Sequence, residues 1–439
     1  MKSIRHKALI GILILFLLGS LIPQSSAQTV YQTYFWITET NMKLTAIRTT
    51  GDLTLDHVQL SEIIVGGQGN LTLLDGFYGE ILCNYSIPAA SSFNVLEVGN
   101  LDADAFNEIV AGSQDEMLVV ALDYNTSSGK LVKLWEKNYN ITHAQITDLT
   151  SDSSNEVLIS DSLGNLTVFN KDGVLIWTKN LSTPIDYFQC LDFSQDGKID
   201  RILVLMESYV ALLNTSGAVE WQAELISKPL NGVVGDVQGT SELELIVKTQ
   251  NVTNCFTQNG TLLWNSSSYS SSSQGLLLYN SSESQKFEIL ISGNTGSYLL
   301  NGSDGSIIRN YLSNSSVTCI AIGKIFGDTY DYLIMGDRNK NITIWTMEPV
   351  NGAVVQFINI TLSDSVVDII LQDMNADGIP DIVTASSNGT VYVIGVPWFI
   401  DFNWLLIGIG IGCIVIVISI VILLKTKSSP SKTTGFHIK

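Results

Sequence analysis

Short apolar runs of four to six residues, each opened by an acidic residue, recur along most of the chain. The runs return at intervals of about 43–50 residues, a period typical of propeller blades built from four short strands. Outside the two chain ends the apolar positions show no helical periodicity. The acidic residues that open the eight runs are Glu62, Glu108, Glu156, Asp200, Glu244, Glu288, Asp331 and Asp381.

Each repeat follows the same order of predicted elements. In the last repeat a first strand at 366–371 leads into an acidic loop, and the apolar second strand follows at 382–385. A polar turn then precedes a third strand, and a second turn, usually with glycine, precedes a fourth strand with a bulky residue. The recurring tryptophans are predicted to pack between blades, and they are Trp135, Trp177, Trp221, Trp264 and Trp345.

The last repeat lacks a fourth strand of its own. The segment 31–38 has the character of a strand and belongs to no other repeat, so we expect it to complete the eighth blade. Closure of the ring in this way would remove the exposed edges of the sheets. The predicted fold is all-β, an eight-bladed propeller over 28–397, and the alternative is a seven-bladed ring with one extra hairpin.

The two chain ends carry apolar segments of a different kind. A basic start, an apolar stretch and small residues predict a secretory signal peptide over 1–27, with an uncleaved anchor helix as the alternative. Uncharged 402–424 is long enough to cross a bilayer, and a basic tail follows it at 425–439. A linker at 398–401 would join this single transmembrane helix to a propeller outside the cell, with the tail in the cytoplasm.

Charge and glycosylation sequons agree with an extracellular location. The chain has 42 acidic and 23 basic residues, a net charge of −19, and such a surface repels nucleic acid. Free thiols are favoured over disulfides, because the cysteines are few and far apart. Sixteen N-x-S/T sequons lie between the predicted signal and the membrane segment, at Asn70, Asn84, Asn125, Asn140, Asn165, Asn180, Asn214, Asn251, Asn259, Asn265, Asn280, Asn301, Asn314, Asn341, Asn359 and Asn388.

Three of the acidic loops have the pattern of a calcium site. Oxygen-bearing side chains at alternate positions, a sharp turn and a terminal carboxylate suit a cation that takes six to eight oxygen ligands. The alternative for every loop is an Asp/Asn-rich turn held by its own side-chain-to-backbone hydrogen bonds. The predicted ligands are Asp373, Asn375, Asp377 and Asp381 in the last repeat, Asp192, Ser194, Asp196 and Asp200 in the fourth, and Asn100, Asp102, Asp104 and Glu108 in the second.

The loop 373–381, followed by an apolar strand, resembles the FG-GAP and VCBS repeats of integrin-alpha-like propeller surface proteins. That resemblance implies a propeller with calcium bound between the first and second strands of a blade. The Gly-x-x-x-Trp phrases, such as 260–264, are similar to the repeats of quinoprotein propellers. Quinoprotein dehydrogenases use a vicinal cysteine pair, and this chain has no adjacent cysteines.

Catalytic candidates are scarce in the predicted ectodomain. Its two histidines, His57 and His143, are expected in or near blade-edge loops, without a nucleophile motif nearby. We therefore expect no enzymatic activity. The predicted function is that of a single-pass cell-surface glycoprotein whose calcium-stabilised propeller binds an extracellular protein or glycan. The alternatives are a propeller enzyme of the quinoprotein, lyase or hydrolase type, or a scaffold that assembles with membrane partner subunits in an envelope complex.

Overall fold

The structure, a computed structural model, describes residues 33–54, 60–88, 91–102, 104–266, 272–280, 286–348 and 355–395. The predicted signal peptide, linker, transmembrane helix and tail lie outside these residues. Within the part of the chain described, no helix is long and apolar enough to cross a membrane. The described residues form thirty-two strands in eight four-stranded antiparallel sheets, which are the blades of the propeller.

The first four complete blades follow the chain order, each from its innermost to its outermost strand. Blade 1 consists of β2 (Leu44–Thr49), β3 (Ile63–Gly67), β4 (Asn70–Leu74) and β5 (Ile81–Ser86). Blade 2 consists of β6 (Val95–Gly99), β7 (Glu108–Ser113), β8 (Leu118–Asn125) and β9 (Lys130–Asn138). Blade 3 consists of β10 (Ile141–Thr147), β11 (Glu156–Asp161), β12 (Asn165–Phe169) and β13 (Leu175–Asn180). Blade 4 consists of β14 (Ile185–Leu191), β15 (Arg201–Met206), β16 (Tyr209–Asn214) and β17 (Val219–Glu224).

The remaining blades continue in the same order, except that the last one borrows a strand. Blade 5 consists of β18 (Pro229–Gly235), β19 (Glu244–Thr249), β20 (Thr253–Phe256) and β21 (Leu262–Ser266). Blade 6 consists of β22 (Leu276–Tyr279), β23 (Glu288–Gly293), β24 (Gly296–Leu300) and β25 (Ile307–Leu312). Blade 7 consists of β26 (Val317–Gly323), β27 (Tyr332–Asp337), β28 (Asn341–Thr346) and β29 (Gln356–Thr361). Blade 8 consists of β30 (Val366–Gln372), β31 (Asp381–Ser386), β32 (Thr390–Gly395) and β1 (Thr33–Glu39).

The N-terminal strand closes the ring, as the sequence predicted. β1 pairs antiparallel with β32, and the register runs from Thr33 opposite Gly395 to Glu39 opposite Thr390. The eighth blade therefore has four strands, and the seven-bladed alternative is wrong. Because the strand that precedes blade 1 completes blade 8, the pairing joins the two ends of the propeller segment.

The apolar runs that mark the repeats are the second strands of the blades. Every residue of β7 and of β31 is buried, since a second strand is covered on both faces by the neighbouring blades. Such strands read as continuous apolar runs rather than as an alternating pattern. The outermost strands alternate instead, and β13 buries no residue completely. The repeat seen in the sequence therefore comes from the fully buried second strand of each blade.

At four of the eight junctions, a tryptophan on an outermost strand fastens one blade to the next. The indole Nε1 donates a hydrogen bond to a carbonyl in the following blade, in the turn between its third and fourth strands. A turn glycine with φ of +70° to +80° lies directly under the ring, where no side chain would fit. The hydrogen-bonded pairs are Trp36–Gly76 (2.9 Å), Trp135–Lys171 (2.9 Å), Trp221–Gln258 (2.7 Å) and Trp264–Gly302 (2.9 Å).

Two tryptophans differ from the sequence-based grouping. Trp36 takes the same position on β1, although it was not among the recurring tryptophans. Trp345 lies on β28, the third strand of blade 7, and its Nε1 is buried without a hydrogen-bond partner in the structure. Between blades 6 and 7 the corresponding bond comes from the hydroxyl of Tyr311, which donates to the Met347 carbonyl at 3.2 Å. The predicted packing between blades is thus confirmed for the other four tryptophans. It also holds for Trp345, whose ring meets the Tyr311 ring of blade 6 with centroids 6.1 Å apart.

The described cysteines are free thiols, as expected. Cys190, Cys255 and Cys319 are buried, and Cys83 is half-buried. Burial raises the pKa of the Cys190 thiol to about 12, which makes it an unreactive part of the core.

The contact between turn glycine and tryptophan gives a direct test of how the blades are held together. A Cβ on Gly260 would lie 2.7 Å from the Trp221 ring, so we expect Gly260→Ala to destabilise the protein by about 2–4 kcal/mol. Gly129 occupies the same turn in blade 2 with φ of +63°, but its nearest neighbour would be 3.9 Å away. Gly129→Ala should therefore cost only the backbone strain, about 1–2 kcal/mol. Thermal unfolding of both variants measures the difference, and equal losses would contradict this account.

Candidate functional site

The two faces of the ring carry different connections. Successive strands in a blade are antiparallel, so the loops from first to second strand and the turns from third to fourth strand share one face. We name it the loop face. The turns from second to third strand and the connections between blades lie on the opposite face, which we name the cavity face. All the predicted calcium ligands belong to the loop face.

The acidic residues that open the second strands have a structural role that the sequence reasoning missed. In six blades the buried or half-buried carboxylate accepts a hydrogen bond from a backbone N–H just past the end of the first strand, which folds the loop back onto the blade. Five of these bonds span seven residues, which explains why the acid recurs in phase. The donor and acceptor residues are Leu53–Glu62, Leu101–Glu108, Leu149–Glu156, Phe193–Asp200, Val237–Glu244 and Met374–Asp381.

Burial changes the protonation of three of these carboxyl groups. It raises the pKa of Glu62, Glu108 and Asp381 to about 7, although the backbone hydrogen bonds oppose the shift. Neighbouring carboxylates in the loops raise the pKa of Glu108 and Asp381 further. A cation in the loop would stabilise the charged forms and so would compete with protonation.

The loop 100–108 brings three predicted ligands together. Single carboxylate oxygens of Asp102, Asp104 and Glu108 all lie within 4.8 Å of one another. Glu108 is fully buried, and its Oε1 has no hydrogen-bond partner in the structure. An unpaired carboxylate oxygen beside two other carboxylates is the environment that a hard cation such as calcium satisfies. Among the described residues, no other set of three acidic, His or Cys side chains converges in this way.

The rest of the loop 100–108 is braced by hydrogen bonds. The Asn100 amide donates to the Asp104 carbonyl at 2.5 Å, and the Phe106 N–H donates to Asp104 Oδ1 at 2.6 Å. The Asn107 amide reaches the Thr50 carbonyl of the preceding blade at 2.8 Å. Asn100 thus supports the loop through its amide nitrogen, whereas the sequence pattern had pointed to its side-chain oxygen as a ligand.

The loop 373–381 has the most complete sequence pattern. Its side-chain oxygens accept hydrogen bonds from backbone N–H groups of the same loop. Asp373 accepts hydrogen bonds from the N–H groups of Asn375 (3.2 Å), Asp377 (3.3 Å) and Gly378 (2.8 Å). Asn375 Oδ1 accepts from Asp377 N, and Asp377 Oδ1 accepts from Ile379 N, both at 2.8 Å. These are the bonds of an Asp/Asn-rich turn.

The loop 192–200 has the same arrangement. Asp192 Oδ2 accepts from Gly197 N at 2.7 Å, and its Oδ1 accepts from the Ser194 hydroxyl at 3.2 Å. Asp196 Oδ1 accepts from Lys198 N at 3.0 Å. The Asp200 carboxylate lies 3.7 Å from the Arg201 guanidinium, a positive charge that competes with a bound cation. In this structure, therefore, the four predicted ligands serve mainly to hold the turn.

A polar cavity occupies the centre of the ring. Its volume is about 440 Å³, and all eight innermost strands or the residues just before them line it. The lining residues lie near the starts of these strands, so the cavity is nearer the cavity face than the loop face. Its polar lining includes Thr45, Asn94, Thr142, Asp186, Asn231, Gln274 and Thr318.

Several of these polar groups also connect neighbouring blades. The Thr142 hydroxyl donates to the Ile185 carbonyl at 3.0 Å, from blade 3 to blade 4. The Asn231 amide donates to the Gln274 carbonyl at 2.8 Å, and Lys228 pairs with Asp186 at 2.6 Å. The cavity wall is therefore an inner ring of polar contacts between blades.

One arginine lies between two carboxylates in the cavity wall. The Arg48 guanidinium lies 3.4 Å from Asp368 and 3.7 Å from Glu97, which belong to the two neighbouring blades. Burial raises the pKa of both carboxyl groups, and the positive charge of Arg48 partly offsets that effect. This trio can exchange its internal ion pairs for hydrogen bonds to a polar ligand.

His143 lies in this wall, on β10, and not in a blade-edge loop as expected. Its ring packs on Tyr187 and Phe188, with centroids 4.9 and 4.8 Å apart. Burial, and then the nearby charge of Arg48, lowers the pKa of His143 to about 4, so the imidazole is neutral at physiological pH. His57 lies outside the described residues.

No family model and no curated protein matches the sequence at a significant level. Comparison with solved structures finds other propellers. Sqt1 of Saccharomyces cerevisiae superposes with a TM-score of 0.65 at 12% identity, covering 84% of this chain and 99% of that one. BamB of Moraxella catarrhalis has a TM-score of 0.55 at 14% identity, covering 83% and 100%. A structure of the mitotic checkpoint complex matches with a TM-score of 0.51 at 10% identity, covering 85% and 95%.

At these identities the similarity shows the propeller fold and not the activity, and the number of blades comes from the eight sheets of this chain. None of the three is named as an enzyme. The propeller with four-stranded blades is therefore established for this chain by its own topology and by these neighbours.

The buried loop carboxylates predict an unusual dependence of stability on pH. The folded-state pKa of Glu62 is about 7, above the ordinary value of 4.5, so the folded protein holds a proton that the unfolded chain releases. Its contribution is complete below about pH 4.5 and is lost as the pH rises through 7. We expect Glu62→Gln, which stays neutral, to gain on the order of 2 kcal/mol at pH 8 and nothing at pH 4.5.

Denaturant unfolding at the two pH values measures this effect. Glu62→Ala is the control, because it removes the acceptors of Leu53 N and the Thr54 hydroxyl and should destabilise at both pH values. A Glu62→Gln variant that loses stability at pH 8 would show that the charged form is the favoured one.

Proposed function

We propose that this chain is a single-pass cell-surface glycoprotein whose propeller recognises an extracellular partner. The observation that carries the proposal is the central polar cavity, to which all eight blades contribute. Clefts with several convergent polar groups are the usual sites for ligands. The partner we propose is an extracellular glycan, or a protein that presents a polar side chain, because the lining offers amide, hydroxyl, carboxylate and guanidinium groups together.

The positions of the sequons support display outside the cell. None of the sixteen sequon asparagines is buried, and ten of them are exposed. Burial of an asparagine is possible in this fold, since Asn254, which is not in a sequon, is buried. Glycans could therefore be attached without disturbing the core. The membrane anchor rests on the apolar sequence of 402–424.

Calcium binding is proposed first for the loop 100–108. Asp102, Asp104 and Glu108 would hold the ion, and its charge would offset the repulsion among the three carboxylates. The ligand sets at 373–381 and 192–200 have the FG-GAP-like and VCBS-like spacing, and we propose them as weaker sites. Binding there would replace hydrogen bonds that their carboxylates now make to the loop backbone.

The role of calcium in this proposal is structural. The loop face lies opposite the mouth of the cavity, so the ion would stabilise the ring and would not contact the ligand. Recognition in the cavity should then depend on calcium only through stability of the fold.

Calcium should raise the thermal stability of the protein through the loop 100–108. At a free concentration 100 times the dissociation constant, binding adds about 2.7 kcal/mol, so the melting temperature should rise by several degrees. Asp104→Asn should reduce this rise, because it removes a charged ligand. Asp172→Asn, in an exposed turn of blade 3, is the matched control and should leave it unchanged. A melting curve of the unaltered protein that does not respond to calcium or to a chelator would rule out the site.

Obstruction of the cavity should abolish recognition without affecting the fold. A screen of the full chain in lipid nanodiscs against glycans and surface proteins would identify ligands. Gln274→Trp, at the cavity wall, should then weaken binding at least tenfold, a loss of about 1.4 kcal/mol. Gln114→Trp lies on the same face, in the β7–β8 turn outside the cavity, and should bind normally. Equal binding by both variants would place the ligand elsewhere on the ring.

A further inference from the structure

Exposed aromatic side chains are concentrated in one part of the ring. Among the described residues, four aromatic side chains are exposed: Phe35 (44%), Phe77 (40%), Tyr78 (65%) and Tyr330 (42%). Phe35 lies on the outermost strand of blade 8, Phe77 and Tyr78 on a turn of blade 1, and Tyr330 on a loop of blade 7. Blades 7, 8 and 1 are consecutive around the closed ring. We name these four side chains the aromatic sector.

All four side chains lie towards the loop face. Phe77 and Tyr78 belong to the turn between β4 and β5, and Tyr330 belongs to the loop between β26 and β27. Phe35 is near the end of β1 that pairs with Gly395, and its ring packs against that glycine. The loop between β30 and β31 of blade 8 joins the turns of the two neighbouring blades. Met374 in this loop packs on Gly76 of blade 1, and Ile379 packs on Gly327 of blade 7.

The turns that carry these rings are held in fixed conformations. Asp75 Oδ1 accepts hydrogen bonds from Phe77 N at 3.0 Å and from Tyr78 N at 2.5 Å, and the two rings meet edge to face. The Tyr330 N–H donates to Asp328 Oδ1 at 3.1 Å, and the Tyr332 hydroxyl fixes the other oxygen of Asp328. Exposed rings on braced turns present apolar surface at little cost in conformational entropy.

The loop face of the same three blades carries no glycosylation sequon. Sequons of blades 7, 8 and 1 lie at the cavity face or along the outer strands, at Asn341, Asn359, Asn388, Asn70 and Asn84. The loop face elsewhere does carry sequons, in blades 2, 4, 5 and 6, at Asn125, Asn214, Asn259, Asn280 and Asn301. Thus the aromatic sector would stay accessible even if every sequon were used.

The chain also leaves the propeller at this place. β32 runs towards the loop face and ends at Gly395, beside Phe35. Only residues 396–401 separate Gly395 from the apolar stretch 402–424, and six extended residues span at most about 20 Å. If 402–424 crosses the membrane, the loop face of blade 8 is therefore held close to the lipid headgroups.

We infer that the aromatic sector rests on the outer surface of the bilayer to which the chain is tethered. This inference depends on the membrane anchor of the proposed function. Tyrosine and other aromatic rings are favoured at the membrane–water boundary, where an apolar ring and a polar edge are both accommodated. The sector would orient the propeller with its cavity face directed away from the membrane.

The charge of the surrounding loops selects the kind of lipid. Asp328, Asp373 and Asp377 lie on the same face, and the sector has few cations to balance them. A surface of this charge is repelled by anionic headgroups, so the contact should form on neutral phosphatidylcholine. A protein partner on the aromatic sector is the competing explanation, and the experiment separates the two.

The test uses the full chain in nanodiscs of phosphatidylcholine, with or without bromine atoms near the headgroup end of the acyl chains. Bromine quenches tryptophan fluorescence only at short range. Tyr78→Trp and Tyr330→Trp each place a reporter in the aromatic sector. Leu163→Trp places one on an equally exposed turn of the cavity face, where Leu163 is 70% exposed. The native tryptophans give the same background in all three variants.

We expect the fluorescence added by Tyr78→Trp and Tyr330→Trp to lose most of its intensity in brominated nanodiscs, and that added by Leu163→Trp to be unaffected. If neither sector reporter is quenched, the inference is wrong, and protection of the sector by a co-purifying protein would point to the competing explanation. Alkaline extraction of membranes tests the anchor separately. A chain released by alkali would refute the proposed membrane anchor, whereas a retained chain with unquenched reporters would refute only the contact with lipid.

Discussion

The pairing of β1 with β32 is the constraint on which the rest of the structure depends. It brings together residues 33 and 395, the first and last of the described propeller. Without it, β32 would be an open edge strand, and blade 8 would have three strands. The large separation in sequence makes closure costly in chain entropy, so the ring becomes stable only when the other contacts between blades reinforce it.

Those contacts occur at two radii. At the outer radius, the tryptophans and the turn glycines beneath them join one blade to the next. At the inner radius, hydrogen bonds such as that from the Thr318 hydroxyl to the Val366 carbonyl (3.0 Å) join neighbouring first strands. Because the inner contacts also line the cavity, the groups that could bind a ligand are the same groups that set the width of the ring. The polar cavity is thus a consequence of how the blades are held together.

The sequence predicted most of the fold because the period, the turn chemistry and the spare N-terminal strand all indicate the same ring. The orientation of the loop oxygens was beyond what the sequence could predict, for a physical reason. Spacing shows which oxygens are available in a loop but not whether they face a cation or the backbone. The loop 373–381 has the more complete ligand spacing, yet the oxygens of Asp373 accept hydrogen bonds from backbone N–H groups. In the loop 100–108, Glu108 retains an oxygen without a hydrogen-bond partner. The cavity could not be predicted, since Arg48 and Asp368 meet only when the ring closes.

The position of β32 has a mechanical consequence. If the chain is anchored in a membrane as proposed, any load between a bound partner and the anchor enters the propeller at Gly395, the last residue of β32. That strand is hydrogen-bonded to β31 on one side and to β1 on the other, with the bonds perpendicular to its length. A pull along the strand therefore shears both ladders at once, and no single bond can open ahead of the others. The strand with which β1 pairs to close the ring is also placed to carry tension.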